Sequence, residues 1–152
     1  MYYLTSLLLI QVFFSTQSFA DKKDILIIES YHSGYQWSRD YVNTISNSLS
    51  EFTVQHFQMD TKRLPATMYP ARAEKAWKVI QAIDPLLIFL GDDNALQYLS
   101  HRLSTTNYPV VYLGINSNPR NSGVYKYKNI TGILERPLLK RSLITAKKYT
   151  QI

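Results

Sequence analysis

Leu86-Leu87-Ile88-Phe89-Leu90-Gly91-Asp92-Asp93-Asn94 decides the fold of this chain. Five apolar residues bounded by Pro85 and Gly91 have the length and composition of a strand buried on both faces. The turn residues that follow run into Ala95, Leu96, Leu99 and Leu103, a helix-spaced apolar stripe. A buried strand, a tight turn and an amphipathic helix form the first half of a βαβ unit. The same grammar recurs in both directions from this stretch.

Upstream, Ile25-Leu26-Ile27-Ile28 reads as a first buried strand. Trp37, Tyr41, Ile45, Leu49 and Phe52 then fall at spacings of four and three, which predicts a helix over 36–51. Alternation through Val54, His56 and Gln58 predicts a second strand, and 62–69 a loop containing Pro65. A helix opening at Pro70 carries Ala73, Ala76, Trp77, Ile80 and Ile83 on one face, and Pro85 stops it just after Asp84. Downstream, Val110-Val111-Tyr112-Leu113 predicts strand four and Thr131-Gly132-Ile133-Leu134 a short fifth strand, with a helix beginning at Pro137. Strands alternating with helices imply right-handed parallel crossovers. The expected fold class is therefore α/β, a doubly wound parallel sheet of strand order 2-1-3-4-5.

Such a sheet places ligands outside the carboxyl ends of its strands, near the switch point between the first and third. Three loops matter on that rule: Ser30 to Trp37, Gly91 to Asn94, and Gly114 to Asn116. The first offers Ser30, Tyr31, His32, Tyr35 and Trp37. The flat faces of the aromatics suit stacking on a ring or cradling a cation. Trp37 also opens the apolar stripe of the helix, which favours a packing role. Asp92, Asp93 and Asn94 stand where a helix begins, so one Asp is expected to cap it. The other carboxylate is expected to project into the cleft, pairing with an ammonium and opposing a bare carboxylate or phosphate. Asn94 and Asn116 can donate and accept toward ligand polar atoms.

Several chemistries are disfavoured. Ser30, His32 and Asp92 supply the residue types of a hydrolytic triad, but no G-x-S-x-G elbow is present and Ser30 and His32 are two apart in one loop. His32 with the two aspartates lacks regular metal-ligand spacing. Gly91 stands alone, without the other glycines of a dinucleotide fingerprint or the Lys-Ser/Thr of a P-loop. No enzyme, cofactor or metal is expected. The chain has a net charge of +6, from 17 Lys and Arg against 11 Asp and Glu. Those cations are dispersed rather than clustered, so a nucleic-acid partner is not expected either. With no cysteine, neither disulfides nor thiolate sites are available.

At the amino end, residues 1–20 carry no charged side chain. They hold the apolar run Leu7-Leu8-Leu9-Ile10 with Val12-Phe13-Phe14, and close on Ser18-Phe19-Ala20. The pattern reads as a secretory signal peptide, so the protein is expected to be periplasmic or otherwise extracytoplasmic.

The loops also carry a family likeness. Glu29-Ser30-Tyr31-His32-Ser33-Gly34-Tyr35-Gln36-Trp37-Ser38, Met59-Asp60-Thr61-Lys62-Arg63, Gly91-Asp92-Asp93-Asn94-Ala95, Gly114-Ile115-Asn116 and Asn129-Ile130-Thr131-Gly132 come in that order. In this the chain resembles one group of ABC-transporter solute-binding proteins, of the type I periplasmic binding kind, across nearly all its length after residue 20. Related modules form extracytoplasmic sensor regions of signalling proteins. The resemblance implies a Rossmann-like lobe, 21–134, that binds a small-molecule solute and answers to an ABC permease or a membrane signalling protein. It also implies that 135–152 are the crossover and first helix of a second lobe that the chain lacks. The alternative expectation is a truncated product without ligand binding, acting only through protein contacts or non-functional.

Overall fold

The computed structural model describes residues 24–135 and 139–150. The expected signal peptide and the expected helix start at Pro137 lie outside the described residues. In chain order the principal elements are β1 Asp24–Glu29, α1 Gln36–Ser48, β2 Thr53–Gln58, α2 Tyr69–Ile83, β3 Leu87–Gly91, α3 Asp92–Leu103, β4 Val110–Ile115, α4 Pro119–Ser122, β5 Ile130–Leu134 and α5 Leu139–Thr150. Short 3-10 turns at Ala66–Met68 and Val124–Lys126 tighten two of the connections.

The five strands form one sheet in the order β2-β1-β3-β4-β5. Every pairing is parallel, with Ile28 beside both Phe57 and Leu90, and Leu90 beside Tyr112. The fold is a doubly wound, Rossmann-like α/β lobe in the expected order. Parallel pairing requires crossovers, and each crossover helix hides one face of the sheet, which is why the central strands are apolar on both sides.

Alternation sorts the side chains of β1 between the two faces. Leu26 and Ile28 join Ile88, Leu90, Ala76, Ile80, Leu96, Leu99 and Leu103 in the main core, between the sheet and the helices α2 and α3. Each such fully buried Leu or Ile contributes about 1.5–3 kcal/mol. Ile25, Ile27 and Glu29 point the other way, toward the face that carries α1. That helix sits on the sheet through aromatics at its first turns: the Trp37 ring occupies the space above Gly114, and the Tyr41 hydroxyl the space above Gly91.

The elements differ from expectation mainly at their ends. α1 stops at Ser48 rather than residue 51, so Leu49 and Phe52 belong to the turn into β2. Ser38 is the one buried residue of α1, and its apolar stripe is only half-buried, so little packing holds its last turn. α2 ends as Asp84 takes a left-handed conformation (φ 49°), with its N–H donating to the Ile80 carbonyl before Pro85 prevents continuation. The third strand starts at Leu87, one residue late. Leu86 is instead a partly exposed connector whose N–H pairs with the Asp24 carbonyl.

Candidate functional site

Loops after β1, β2, β3 and β4 meet at the carboxyl edge of the sheet, across the switch point between β1 and β3. Buried hydrogen bonds hold three of them together. The Ser30 hydroxyl, fully buried, donates to the Gly91 carbonyl at 2.7 Å and accepts from the Ala95 N–H at 2.8 Å. The Ser30 carbonyl receives the Thr61 N–H and the Thr61 hydroxyl, and the Thr61 hydroxyl receives the Asn94 amide at 2.9 Å. Tyr69 closes the set by donating to the Thr61 carbonyl at 2.6 Å. Arg72 reaches the carbonyls of Met59 and Gln58 from α2.

This network reassigns the capping chemistry. The first turn of α3 is satisfied from two sides, by Asp92 at the Asp93 N–H, as expected of one aspartate, and by Ser30 of the neighbouring strand at the Ala95 N–H. Asp92 has a positive φ of 71°, and its carboxylate accepts the Asp93 N–H at 2.6 Å. Asp93 reaches across to the β4 loop, accepting the Asn116 N–H at 3.3 Å, the Ser117 N–H at 3.1 Å and the Ser117 hydroxyl at 2.6 Å. The carboxylate expected to project into the cleft is thus tied to the protein's own backbone. A cavity of about 320 Å³ borders this junction, lined by Asp93, Leu96, Gln97, Ser117, Asn121 and Ser122.

The remaining candidate residues form an aromatic face. Tyr31 and Tyr35 meet edge to face, with ring centroids 4.9 Å apart. The Lys62 ammonium lies 4.4 Å from the Tyr31 centroid and 4.8 Å from that of Tyr35, within cation–π range of both. Burial, and then the Asp92 carboxylate beside it, push the Tyr31 phenol well above its usual range. Burial also raises Asp92, against the opposing influence of Tyr31 and the Asp93 amide. His32 accepts the Gly34 N–H on Nδ1, which fixes the turn leading to Tyr35.

Trp37 is a packing residue on this geometry. Its ring stands edge-on to Tyr41 at 4.8 Å and rests on Gly114, whose φ of 68° and missing Cβ both serve the approach. Ser30 is likewise committed to the backbone. The structure brings Tyr31, Tyr35, Asp92, Asp93, Asn94 and Asn116 to one edge, with Asn94 already engaged by Thr61.

Sequence reasoning passed over two groups. Lys62 belongs to the loop after β2, which the switch-point rule does not single out, yet β2 lies directly beside β1 and delivers it to the aromatic face. The available signal was the basic pair Lys62-Arg63 just beyond a predicted strand end. Glu29 is the second: a buried carboxylate accepting from His56 at 2.9 Å and Gln58 at 3.3 Å. The Glu29 charge, after burial, keeps the Tyr41 phenol far above its usual range. Two of three non-glycine residues with positive φ among those described, Asp60 and Asp92, flank this edge, where such strain of about 1–3 kcal/mol per residue tends to collect. Among the described residues no cluster of three His, Asp or Glu side chains could hold a metal ion.

No family model matches the chain, and no curated protein matches it. A solved structure described as the ABC domain in complex with L-Trp, from Streptococcus pneumonia, is similar in fold, with a TM-score of 0.57 at 14% sequence identity. The similarity covers 86% of this chain and 44% of that one, so the chain spans under half the length of this ligand-binding neighbour.

Proposed function

We propose that the chain is an extracytoplasmic solute-binding lobe of the ABC-transporter or sensor type, taking a small organic solute at the carboxyl edge of its sheet. The observation that carries this reading is the convergence of four loops at the β1–β3 switch point, with a tyrosine pair and a lysine on their surface. The binding neighbour of similar fold supports it. No bond is made or broken in this role. The lobe contributes one wall of a cleft, and a permease or a membrane signalling protein receives the solute or the conformational signal. Binding is tight where a second wall closes over the solute and excludes water.

A second reading is a lobe that acts through protein contacts without a solute. It is favoured by α5, whose Leu143, Ile144 and Tyr149 are all more than 60% exposed. A thermal-shift and calorimetry screen of the full chain against amino acids, aromatic compounds and small amines separates the two. Stabilisation by at least one class supports solute binding. A flat response to every class refutes it and leaves the contact reading.

A further inference from the structure

The charges at the candidate site are distributed in a way that the sequence did not suggest. Two aspartates stand at the start of α3, which reads as an acidic site for a cationic solute. Both are consumed internally. Asp92 is buried against the Asp93 N–H and the Tyr31 hydroxyl, and Asp93 holds two amides and a hydroxyl of the β4 loop. Asp60, on the β2 side, is taken by a two-pronged contact from Arg63, at 2.7 and 2.9 Å, which neutralises that cation as well.

Lys62 is different. Among the described residues no carboxylate lies within ion-pair distance of its ammonium, and it donates no hydrogen bond to a protein acceptor. Its charge rests on the faces of Tyr31 and Tyr35, where a cationic ligand would otherwise sit. Those faces are electron-rich and already satisfied by a cation, so a second cation placed there meets repulsion. An ammonium on aromatic faces still has N–H donors to give, and a carboxylate is the partner that best takes them.

We infer that Lys62 is the charge-selecting residue of this site, so that the solute is a small organic anion, a carboxylate beside a flat apolar group, rather than an amine. The inference rests on the solute-binding reading and names the solute class. Lys62 grips the anionic group, while the tyrosine pair keeps the ammonium in place and borders the flat part of the solute. The aspartates of the α3 turn act at a distance, by fixing the β4 loop and the Tyr31 ring.

Calorimetric titration of the full chain with benzoate, benzyl alcohol and benzylamine at neutral pH tests this, because the three probes share a ring and differ in charge. The wild-type chain is expected to bind benzoate roughly tenfold or more tightly than benzylamine, as befits a hydrogen bond to a charged group. Lys62→Met should lose about tenfold or more in benzoate affinity and leave benzyl alcohol within about twofold. Lys62→Arg should restore the order. Lys62 is exposed, with its ammonium resting on the Tyr31 and Tyr35 rings, and matched unfolding midpoints of the variants check that the fold is kept. Preference for benzylamine in the wild type, or an unchanged benzoate affinity in Lys62→Met, overturns the inference while solute binding stands. Failure of all three probes, together with a blank solute screen, overturns solute binding itself and this inference with it.

Discussion

Ser30→Ala removes a single oxygen from the interior, and the structure allows its cost to be worked out. The hydroxyl makes two bonds, donating to the Gly91 carbonyl at 2.7 Å and accepting from the Ala95 N–H at 2.8 Å. The carbonyl keeps a second donor, the Ser30 N–H at 3.0 Å, so it is not left unpaired. The Ala95 N–H has no such reserve. It is the fourth residue of α3, the Gly91 carbonyl four residues back is already taken by the Ser30 N–H and hydroxyl, and it is buried away from water. An orphaned buried donor costs about 1–3 kcal/mol, and loss of a helix cap about 1 kcal/mol, two descriptions of largely the same deficit. The expected loss is therefore about 2 kcal/mol, or roughly a 1 M drop in urea midpoint at an ordinary dependence on denaturant. Equilibrium urea unfolding followed by far-UV circular dichroism measures it, with exposed Ser33→Ala as the control expected to change nothing. A Ser30→Ala midpoint within about 0.2 M of wild type, at an unchanged slope, would refute the reasoning that Ser30 caps α3 from the neighbouring strand.

Other perturbations read different parts of the same edge. Gly114→Ala puts a Cβ about 2.0 Å from the Trp37 ring at a φ of 68°, so it should destabilise the fold by about 2 kcal/mol or more and shift Trp fluorescence. A spectrum and unfolding midpoint like wild type would show that Trp37 does not rest there. Asn129→Leu removes an amide that serves the Leu103, Thr106 and Tyr108 carbonyls, at 3.0, 3.2 and 2.9 Å, and should cost about 1–3 kcal/mol by thermal unfolding. Asp92 has its carboxyl raised by burial, so the folded chain binds this proton more tightly than the unfolded one, and ionising it lowers stability as pH rises through the folded pKa. Asp92→Asn keeps the acceptor for the Asp93 N–H and tolerates the positive φ. It should gain stability relative to wild type at pH 7, with the difference closing below the ordinary Asp range, and a constant difference across that window would contradict this origin.

Much of the lobe was legible because parallel sheets are written in a plain code. Ile25 to Ile28 and Leu86 to Leu90 are apolar without alternation, and Pro70, Asp84 and Pro85 bracket a helix by local chemistry alone. The alternation gave a doubly wound sheet, for which 2-1-3-4-5 is one of the common orders, and the pairing of β1 with both β2 and β3 bears that order out. The end of α1 was less legible. Leu49 and Phe52 continue its spacing, but periodicity carries no information on where tertiary support stops. The meeting of the loops at one sheet edge was legible, and the fate of their charges was not. Asp92 and Asp93 are acidic in any reading of the chain, and only the fold reveals that the β4 loop and the following amide consume them. The capping role of Ser30 depends on a contact 65 residues distant in sequence, beyond the reach of any local motif. Gly91 and Gly114, read as turn residues, turn out to be seats for the aromatics of α1.

The central claim is that solute is taken at the loops beyond β1, β2, β3 and β4. Amide chemical-shift mapping of the full chain during titration with a hit from the solute screen tests it most directly. The account predicts saturable shifts concentrated at 30–37, 60–63, 91–95 and 114–117. Shifts concentrated instead at the opposite edge, around 84–86 and 107–109, would contradict it.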